Sequence, residues 1–424
     1  MSRATRPRFV LYTVALPPYR HDCMAILADR LGTDWAAFAG NRLLNAAAWT
    51  RNDTPGYRPV SNWRLLGNRL LFQWGHWGDA IRADVAILDL NPRSITAWLL
   101  LGVRRLLRRR TLLWGHLHPR RGAGSPTASL RRFMRRQADG CLLYSYIEAL
   151  DVDRESPTER AWVAPNALYG RSELGLAGRE ERNTVVYSGR LDRDKNPGLL
   201  LEAFGRLAST DSALSLCFVG DGALEPDLRR RANQLGLTER VAFLGTIEEP
   251  EQLRELYSTA RCAVSPGYCG LSLTQTLGFG VPMVVADNER HAPEIELASL
   301  GYVQFFSANS ESDLAARIAG CVRPPDSARA ALVSFMKENY SAEAMAEGVF
   351  NALVGGQRRR VLLAPLSYRP STASAGLDDP PKPKEAFGPQ NEARAHLGGK
   401  TGSVDGHDQG PGRFNLSADI EARH

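Results

Sequence analysis

Short runs of β-branched and other apolar residues alternate with amphipathic stretches through most of this chain, and the runs end in Gly, Ser, Asp or Pro. The alternation is clearest between Val185 and Glu296, in VVYSGRLDRDKNPGLLLEAF, FVGDGALEP, VAFLGT and VSPGYCGLSLTQTLGFGVPMVVADNERHAPEIE. Apolar runs of strand length separated by amphipathic runs of helix length predict a parallel sheet wound with helices. In such sheets ligands bind beyond the carboxyl ends of the strands, so those loops are the ones to read for chemistry.

A similar pattern runs through the first half. Phe9–Leu16 reads as a strand and His21–Leu31 as the helix after it. Ala83–Leu90 and Thr111–Trp114 read as buried strands, Arg131–Ala138 as a helix, Cys141–Ser145 as a strand, and Ala161–Asn166 as a last strand with its turn. The Trp-, Asn- and Gly-rich middle, Asn41–Asp79, shows no clear period. The chain thus divides into a first Rossmann-like α/β domain over 1–170, a polar, Gly-containing linker over 171–182, and a second such domain over 183–340. Ser341 suits the N-cap of a helix within 341–356. In the tail, 357–424, Pro, Gly, Ser and charge dominate, and it is expected to be disordered.

Composition changes this picture in three ways. Hydrophobic residues at 43% and charged residues at 23% suit a soluble enzyme, and no apolar run reaches the roughly 18 residues of a membrane span. The basic start followed by Phe9–Leu16 has the look of a signal peptide. That run is short and Pro17-Pro18-Tyr19-Arg20 is a poor cleavage site, so a first buried strand is the better reading. The six cysteines lack CxxC spacing and several lie in apolar runs; reduced buried thiols and a cytoplasmic compartment are expected.

The net charge of +7 is local. Residues 104–136 contain 11 Arg and no Asp or Glu, so the rest of the chain is net acidic. This suggests an anionic partner, such as a membrane surface, a phosphorylated acceptor or nucleic acid, or else a solvated helix face. With few aromatics placed to stack and no recognition motif, nucleic acid is the weakest of these.

Two loops of the second domain suit a diphosphate. Gly189 allows a sharp turn after the strand Thr184–Tyr187, and Arg190 and Lys195 then set two cations beside the N-terminus of the helix opened by Pro197. The second loop, Pro266-Gly267-Tyr268-Cys269-Gly270, opens a helix whose first amides, on Leu271 and Ser272, are free to donate, with Gln275 one turn further. An ordinary tight strand-to-helix connection would look the same singly; two in one sheet favour function. In the first domain His116 and His118, two apart at the end of a strand, are expected on one face, His116 as the favoured catalytic or sugar-contacting group and His118 as an acceptor-side candidate, or either as a structural histidine, with no nearby Asp, Glu or Cys to complete a metal site. Arg20 and His21 lie on the first strand-to-helix loop, as acceptor or phosphate contacts or as plain surface residues. His291 and Glu294 follow the strand Met283–Ala286, as donor contacts or helix caps.

Together GRLDRDKNPGLLLEAF, FVGDG, VAFLG and GLSLTQTLGFGVPMV resemble the nucleotide-sugar-binding half of family 4 glycosyltransferases, over Val163–Val354, with APNALY similar to the turn that closes their first domain. The resemblance implies a GT-B fold: two Rossmann-like, doubly wound domains facing a cleft, with a crossing helix (here Ser341–Val354) packed back on the first domain. It implies that Arg190 and Lys195 neutralise a donor diphosphate, that Val241, Leu244 and Gly245 lie beside the nucleotide base, and that Leu271 and Ser272 donate to phosphate. His116 matches a His near the donor sugar.

The sequence departs from the family at two carboxylates, where Gly267 and Gln275 stand. An amide at 275 still accepts from and donates to a ribose diol. The loss at 267 removes the obvious covalent nucleophile. The resemblance implies a retaining, metal-independent transfer from a nucleotide sugar, without other cofactor, to a glycan or lipid-linked acceptor. The arginine-rich stretch Arg104–Arg136 adds the expectation of a peripheral position on the inner face of a membrane. The rival is a non-catalytic scaffold of the same fold.

Overall fold

The structure is a computed structural model and describes residues 6–41, 50–67, 69–119, 124–176, 183–322, 324–361 and 363. The first lobe begins with β1 (Phe9–Thr13), α1 (His21–Leu31), β2 (Trp35–Ala39), β3 (Tyr57–Pro59), β4 (Ser61–Leu65), β5 (Leu70–Trp74) and α2 (Trp77–Arg82). It continues with β6 (Val85–Asp89), α3 (Ile95–Leu106), β7 (Arg110–Trp114), α4 (Pro126–Arg136), β8 (Gly140–Leu143), α5 (Tyr146–Glu155) and β9 (Ala161–Val163). Its parallel sheet has the order β3-β2-β1-β6-β7-β8-β9, while β4 and β5 pair as an antiparallel hairpin.

Both faces of this sheet are covered, so its strands are apolar on both sides. Leu11 packs with Ile87, Leu112 and Leu142, whereas its neighbours Val10 and Tyr12 pack on the other face with Leu88, Leu100 and Leu101. The strand expected over Phe9–Leu16 stops at Thr13, and the helix expected over Arg131–Ala138 is α4, which starts at Pro126 and ends at Arg136. The stretch without a clear period holds β3 and the hairpin. The hairpin's Trp63 and Trp74 are exposed, and Trp74 lies 5.7 Å from Trp77 of α2, which packs against the lobe's core.

The second lobe contains β10 (Thr184–Ser188), α6 (Pro197–Ala208), β11 (Ser215–Val219), α7 (Glu225–Gln234), β12 (Val241–Phe243) and α8 (Pro250–Ser258). After these come β13 (Ala260–Ser265), α9 (Leu271–Gly278), β14 (Met283–Ala286), β15 (Val303–Phe306), α10 (Glu311–Ala319) and α11 (Asp326–Asn339). Its sheet, also parallel, runs β12-β11-β10-β13-β14-β15. The strand order reverses at β1/β6 in one lobe and at β10/β13 in the other, which are the places where such sheets open a ligand crevice.

α12 (Ala342–Val354) starts at Ser341, whose Oγ accepts from the Ala344 amide at 3.2 Å. Met345, Ala346, Val349 and Leu353 join the first lobe's core. Arg110 on β7 donates to the carbonyls of Ala352 and Leu353, each at 2.7 Å, and so satisfies the helix C-terminus.

Two segments are more ordered than composition suggests. Leu174, within the expected linker, is buried, and the Gly175 amide donates to Gly278 O. Residues 357–361, at the start of the expected tail, run along α5, where Arg358 and Arg360 pair with Asp153 at 2.7 and 3.2 Å. The rest of the tail lies outside the described residues apart from Leu363, which is buried. The six cysteines are all described and unpaired. No helix among the described residues is long and apolar enough to cross a membrane.

Candidate functional site

At the carboxyl ends of the second sheet the loops close on one another through backbone contacts that glycine permits. A Cβ on Gly220 would overlap the carbonyl of Gly189, and one on Gly222 would lie 2.5 Å from Leu191. The Gly189 amide donates to Val219 O, and the Gly220 amide to Gly245 O at 2.7 Å, so Gly189, Gly220 and Gly245 form a side-chain-free floor. Val241 lies on β12, and the Leu244 amide extends that pairing to Phe218 O at 2.9 Å.

The turn carrying the two cations is docked on the second glycine loop. Asp194 O accepts from the Tyr268 amide at 3.2 Å, and Lys195 Nζ donates to Tyr268 O at 2.7 Å while lying 4.7 Å from the Tyr268 ring centre. Arg190 is exposed and pairs with Asp192 and Asp194. Gly270 is the N-cap of α9 and no side chain caps that helix, so the amides of Leu271 and Ser272 have no intrahelical partner. Gln275 is buried and its Oε1 accepts from Ser188 Oγ at 3.3 Å, tying α9 to the end of β10. Lys195 is thus docked on the loop that opens an uncapped helix, with Arg190 exposed on the same turn, and an uncapped helix N-terminus beside cations favours anions.

Gly267 leaves no room for a side chain. A Cβ there would lie 2.6 Å from Asp194 O and 2.8 Å from the Lys195 carbonyl carbon. The missing carboxylate and the docked cation turn are therefore one structural fact.

His291 holds this loop in place. The Cys269 amide donates to His291 Nδ1 at 3.0 Å, and Nε2 lies 2.8 Å from Ala286 O, which assigns the proton to Nε2. Burial, and then Lys195, hold its pKa at about 4 against the lift from Ala286 O, so the ring is neutral at pH 7. His291 is thus a clamp between β14 and the loop.

In the first lobe His116 and His118 do not share a face, because β7 ends at Trp114 and both lie on the loop beyond it. His116 is exposed and meets Tyr144, with ring centres 4.8 Å apart. Crowding by the surrounding protein, followed by the Arg131 and Arg20 cations, lowers its pKa. His118 sits among Glu155, Asp151, Arg135 and Arg132, and burial lowers its pKa. Arg20 is no surface residue: it is buried, with its guanidinium 4.5 Å from the Trp114 ring centre and NH2 donating to Tyr144 Oη at 2.6 Å. His21 begins α1 beside Thr54, with 3.5 Å between Nδ1 and Oγ1. Asp89, at the end of β6, accepts from Thr13 Oγ1 and the Val14 amide and fixes the turn after β1.

The strand ends of the two lobes meet at a seam of buried carboxyls. Glu296 accepts from Ser145 Oγ, the Tyr146 and Ile147 amides and Tyr340 Oη at 2.6–3.1 Å, capping α5 of the first lobe from the second. Asn166 donates to Glu294 at 2.8 Å. Glu148 accepts from the Leu117 amide at 3.1 Å, on the His116 loop. Sequence reasoning missed Glu148, Glu296, Asn166 and Tyr144. The signal available was two acids, two residues apart, in the otherwise apolar PEIELASL.

Burial pushes the Glu148 carboxyl up to about 8, helped by Glu296 and Glu294. The folded protein then keeps a proton that the unfolded chain releases near pH 4.5. This contribution to stability is complete below that pH and lost as pH rises through 8. Glu148→Gln is expected to flatten the fall of the thermal midpoint between pH 5 and 8. An unchanged slope would place the titration elsewhere.

The arginine-rich stretch is not one solvated face. Arg104 is fully buried and donates to Ala80, Ile81, Ala83 and Arg110 carbonyls, which satisfies the end of α2. Arg131 holds the carbonyls of Leu90 and His116, and Arg135 pairs with Glu159 at 2.9 Å. Arg120 and Arg121 lie outside the described residues.

Comparison with known proteins agrees with this architecture. Residues 175–332 match the family described as glycosyl transferases group 1. A D-inositol 3-phosphate glycosyltransferase of Mycobacterium marinum is 28% identical over 195 residues, 45% of this chain and 41% of that protein. The GalNAc-alpha-(1->4)-GalNAc-alpha-(1->3)-diNAcBac-PP-undecaprenol alpha-1,4-N-acetyl-D-galactosaminyltransferase of Campylobacter jejuni is 29% identical over 133 residues, 29% of this chain and 35% of that one. The chain thus spans less than half the length of these curated relatives. Among solved structures it is similar to Anabaena Alr3699/HepE in complex with UDP, with a TM-score of 0.57 and 15% identity over 82% of this chain and 100% of that one. The chain has the GT-B fold, and its segment 175–332, which carries the Arg190–Lys195 turn and the Gly270 helix, matches the group 1 glycosyl transferases.

Proposed function

We propose that this chain is a glycosyltransferase that moves a sugar from a nucleoside-diphosphate sugar to a glycan or lipid-linked acceptor with retention of configuration. The observation that carries this reading is the docking of the Arg190–Lys195 turn on the loop that opens uncapped α9. Diphosphate oxygens there meet two cations and free amides, and charge on the departing diphosphate meets donors already in place. The proposed chemistry is same-face attack. The acceptor hydroxyl forms the new bond as the sugar–phosphate bond breaks, and its proton passes to the leaving phosphate oxygen. Exclusion of a side chain at position 267 supports this route over a covalent intermediate there. The undecaprenol-linked name of one relative favours a lipid-linked acceptor.

Thermal shift against UDP-, GDP- and ADP-sugars without metal tests the donor site. One donor is expected to stabilise the protein by about 2.7 kcal/mol at a hundredfold excess over Kd, and the shift is expected to vanish in Arg190→Ala and Lys195→Ala. A donor that stabilises all three proteins equally binds elsewhere. The absent carboxylate at 267 favours one second reading, a donor-binding scaffold; that reading predicts the same shift with no transfer to any acceptor.

A further inference from the structure

The outer face of α3 and α4 is apolar where a globular surface is ordinarily polar. Leu99, Val103 and Leu106 recur at spacings of four and three, so they share one side of α3, and Leu106 is 84% exposed. Beside them α4 exposes Leu130 and Phe133, the latter by 55%. The two helices are in register, with the Trp98 and Phe133 rings stacked at 6.0 Å and Arg105 donating to Gln137 O at 3.2 Å. Of the twelve large hydrophobic residues exposed among the described residues, ten fall between Trp63 and Phe133. The hairpin and its turn hold four of the ten, Trp63, Leu65, Leu66 and Trp74, and join the start of α3 through the Leu71–Ser94 bridge. Scattered exposed leucines need no explanation, but this concentration on one lobe does.

The charge around this face is predominantly positive. Arg104, Arg110, Arg131 and Arg135 turn inward to carbonyls and carboxylates. Arg105, Arg108 and Arg109 at the end of α3 and Arg132 and Arg136 on α4 remain outside, with single ion pairs at 3.4 Å (Arg109–Asp84) and 3.7 Å (Arg132–Glu155). Arg105, Arg108 and Arg109 also line a surface hollow of about 380 Å³ that ends at Gln137 and Asp139. An exposed apolar strip with a fringe of arginines matches an acyl region bordered by phosphate headgroups. A protein partner of ordinary composition would meet this fringe with acids on its rim; nothing in the pattern needs them.

We propose that the α3–α4 face docks the protein on an anionic lipid bilayer, with Leu106 and Phe133 entering the headgroup boundary and the outer arginines holding lipid phosphates. The inference stands on surface chemistry and does not depend on the donor site. It would bring the first lobe, whose strand ends carry His116 and Arg20, to a lipid-borne acceptor.

Co-flotation of the full chain with phosphatidylcholine vesicles, with and without phosphatidylglycerol, tests it. The protein is expected to float with the anionic vesicles, to be released by salt, and to stay behind with neutral ones. Arg105→Ala with Arg108→Ala is expected to weaken vesicle binding about 25-fold, at roughly fivefold for each surface arginine. Leu106→Ser with Phe133→Ser, both exposed and outside the core, is expected to abolish flotation with the thermal midpoint unchanged. Equal recovery with neutral vesicles, no recovery with either, or variants that float like the parent would overturn the proposal. So would a dimer in lipid-free solution that the Leu106→Ser, Phe133→Ser variant dissolves, since the face would then belong to a second copy.

Discussion

Restoring a carboxylate at position 267 is expected to destroy donor binding. Gly267→Glu would match the resembled family's pattern more closely, and on pattern alone it should help. The structure says the opposite. A Cβ at 267 falls 2.6 Å from Asp194 O and 2.8 Å from the Lys195 carbonyl carbon, and these are backbone atoms that cannot rotate away. The cation turn must lift off the loop, which breaks the Tyr268 amide bond to Asp194 O and moves Lys195 Nζ from Tyr268 O. A displacement of about 1 Å in a group that positions charge costs on the order of 100-fold in rate, and overpacking adds about 1–3 kcal/mol of destabilisation. Donor titration of Gly267→Glu and Gly267→Ala checks this. Since the clash begins at Cβ, the Ala variant should already lose most of the affinity. If the Glu variant bound donor as tightly as the parent, the turn would not be the diphosphate site.

Glu296→Ala is expected to have the largest effect on stability. Four donors from both lobes converge on this carboxylate: Ser145 Oγ, the Tyr146 and Ile147 amides and Tyr340 Oη. Its removal leaves them buried without this acceptor and unpairs the first two amides of α5, where the Ser145 cap on the Glu148 amide alone remains, at a cost of about 3–5 kcal/mol. All eight tryptophans precede residue 163, so fluorescence reports on the first lobe alone. Urea unfolding followed by tryptophan emission should therefore move to lower urea, although residue 296 belongs to the second lobe. A midpoint equal to the parent's would mean that the lobes are held together elsewhere, for instance through α12. Glu296→Gln should lie between the two, because its amide keeps one acceptor and turns two donors toward other donors.

The two predictions differ in how far the sequence foresaw them. Gly189, Arg190, Lys195 and the Gly267–Gly270 loop stood out because each lies where a β-branched run stops and a helix begins. Their neighbourhood within one sheet follows from the strand pattern. Glu296 did not stand out, since nothing local says that a carboxyl beyond β14 will cap a helix begun about 150 residues earlier. The same gap explains the arginines. As a string they read as one basic stretch, and the fold sorts them into four that face inward and hold carbonyls, a helix end or carboxylates, and an outer set around an apolar strip.

Local periodicity reports which side of an element is buried, and in this chain that was enough for two parallel sheets, the Ser341 cap and the loops that suit a diphosphate, while the strand order and its switch points came from the packed sheets. The partner of each buried polar group was beyond it. Hydrogen bonds such as Glu296 to Ser145 or Lys195 to Tyr268 O join residues that meet only after both sheets have packed. Their geometry is set by the seam and the loop crossings, and no spacing within one element encodes it.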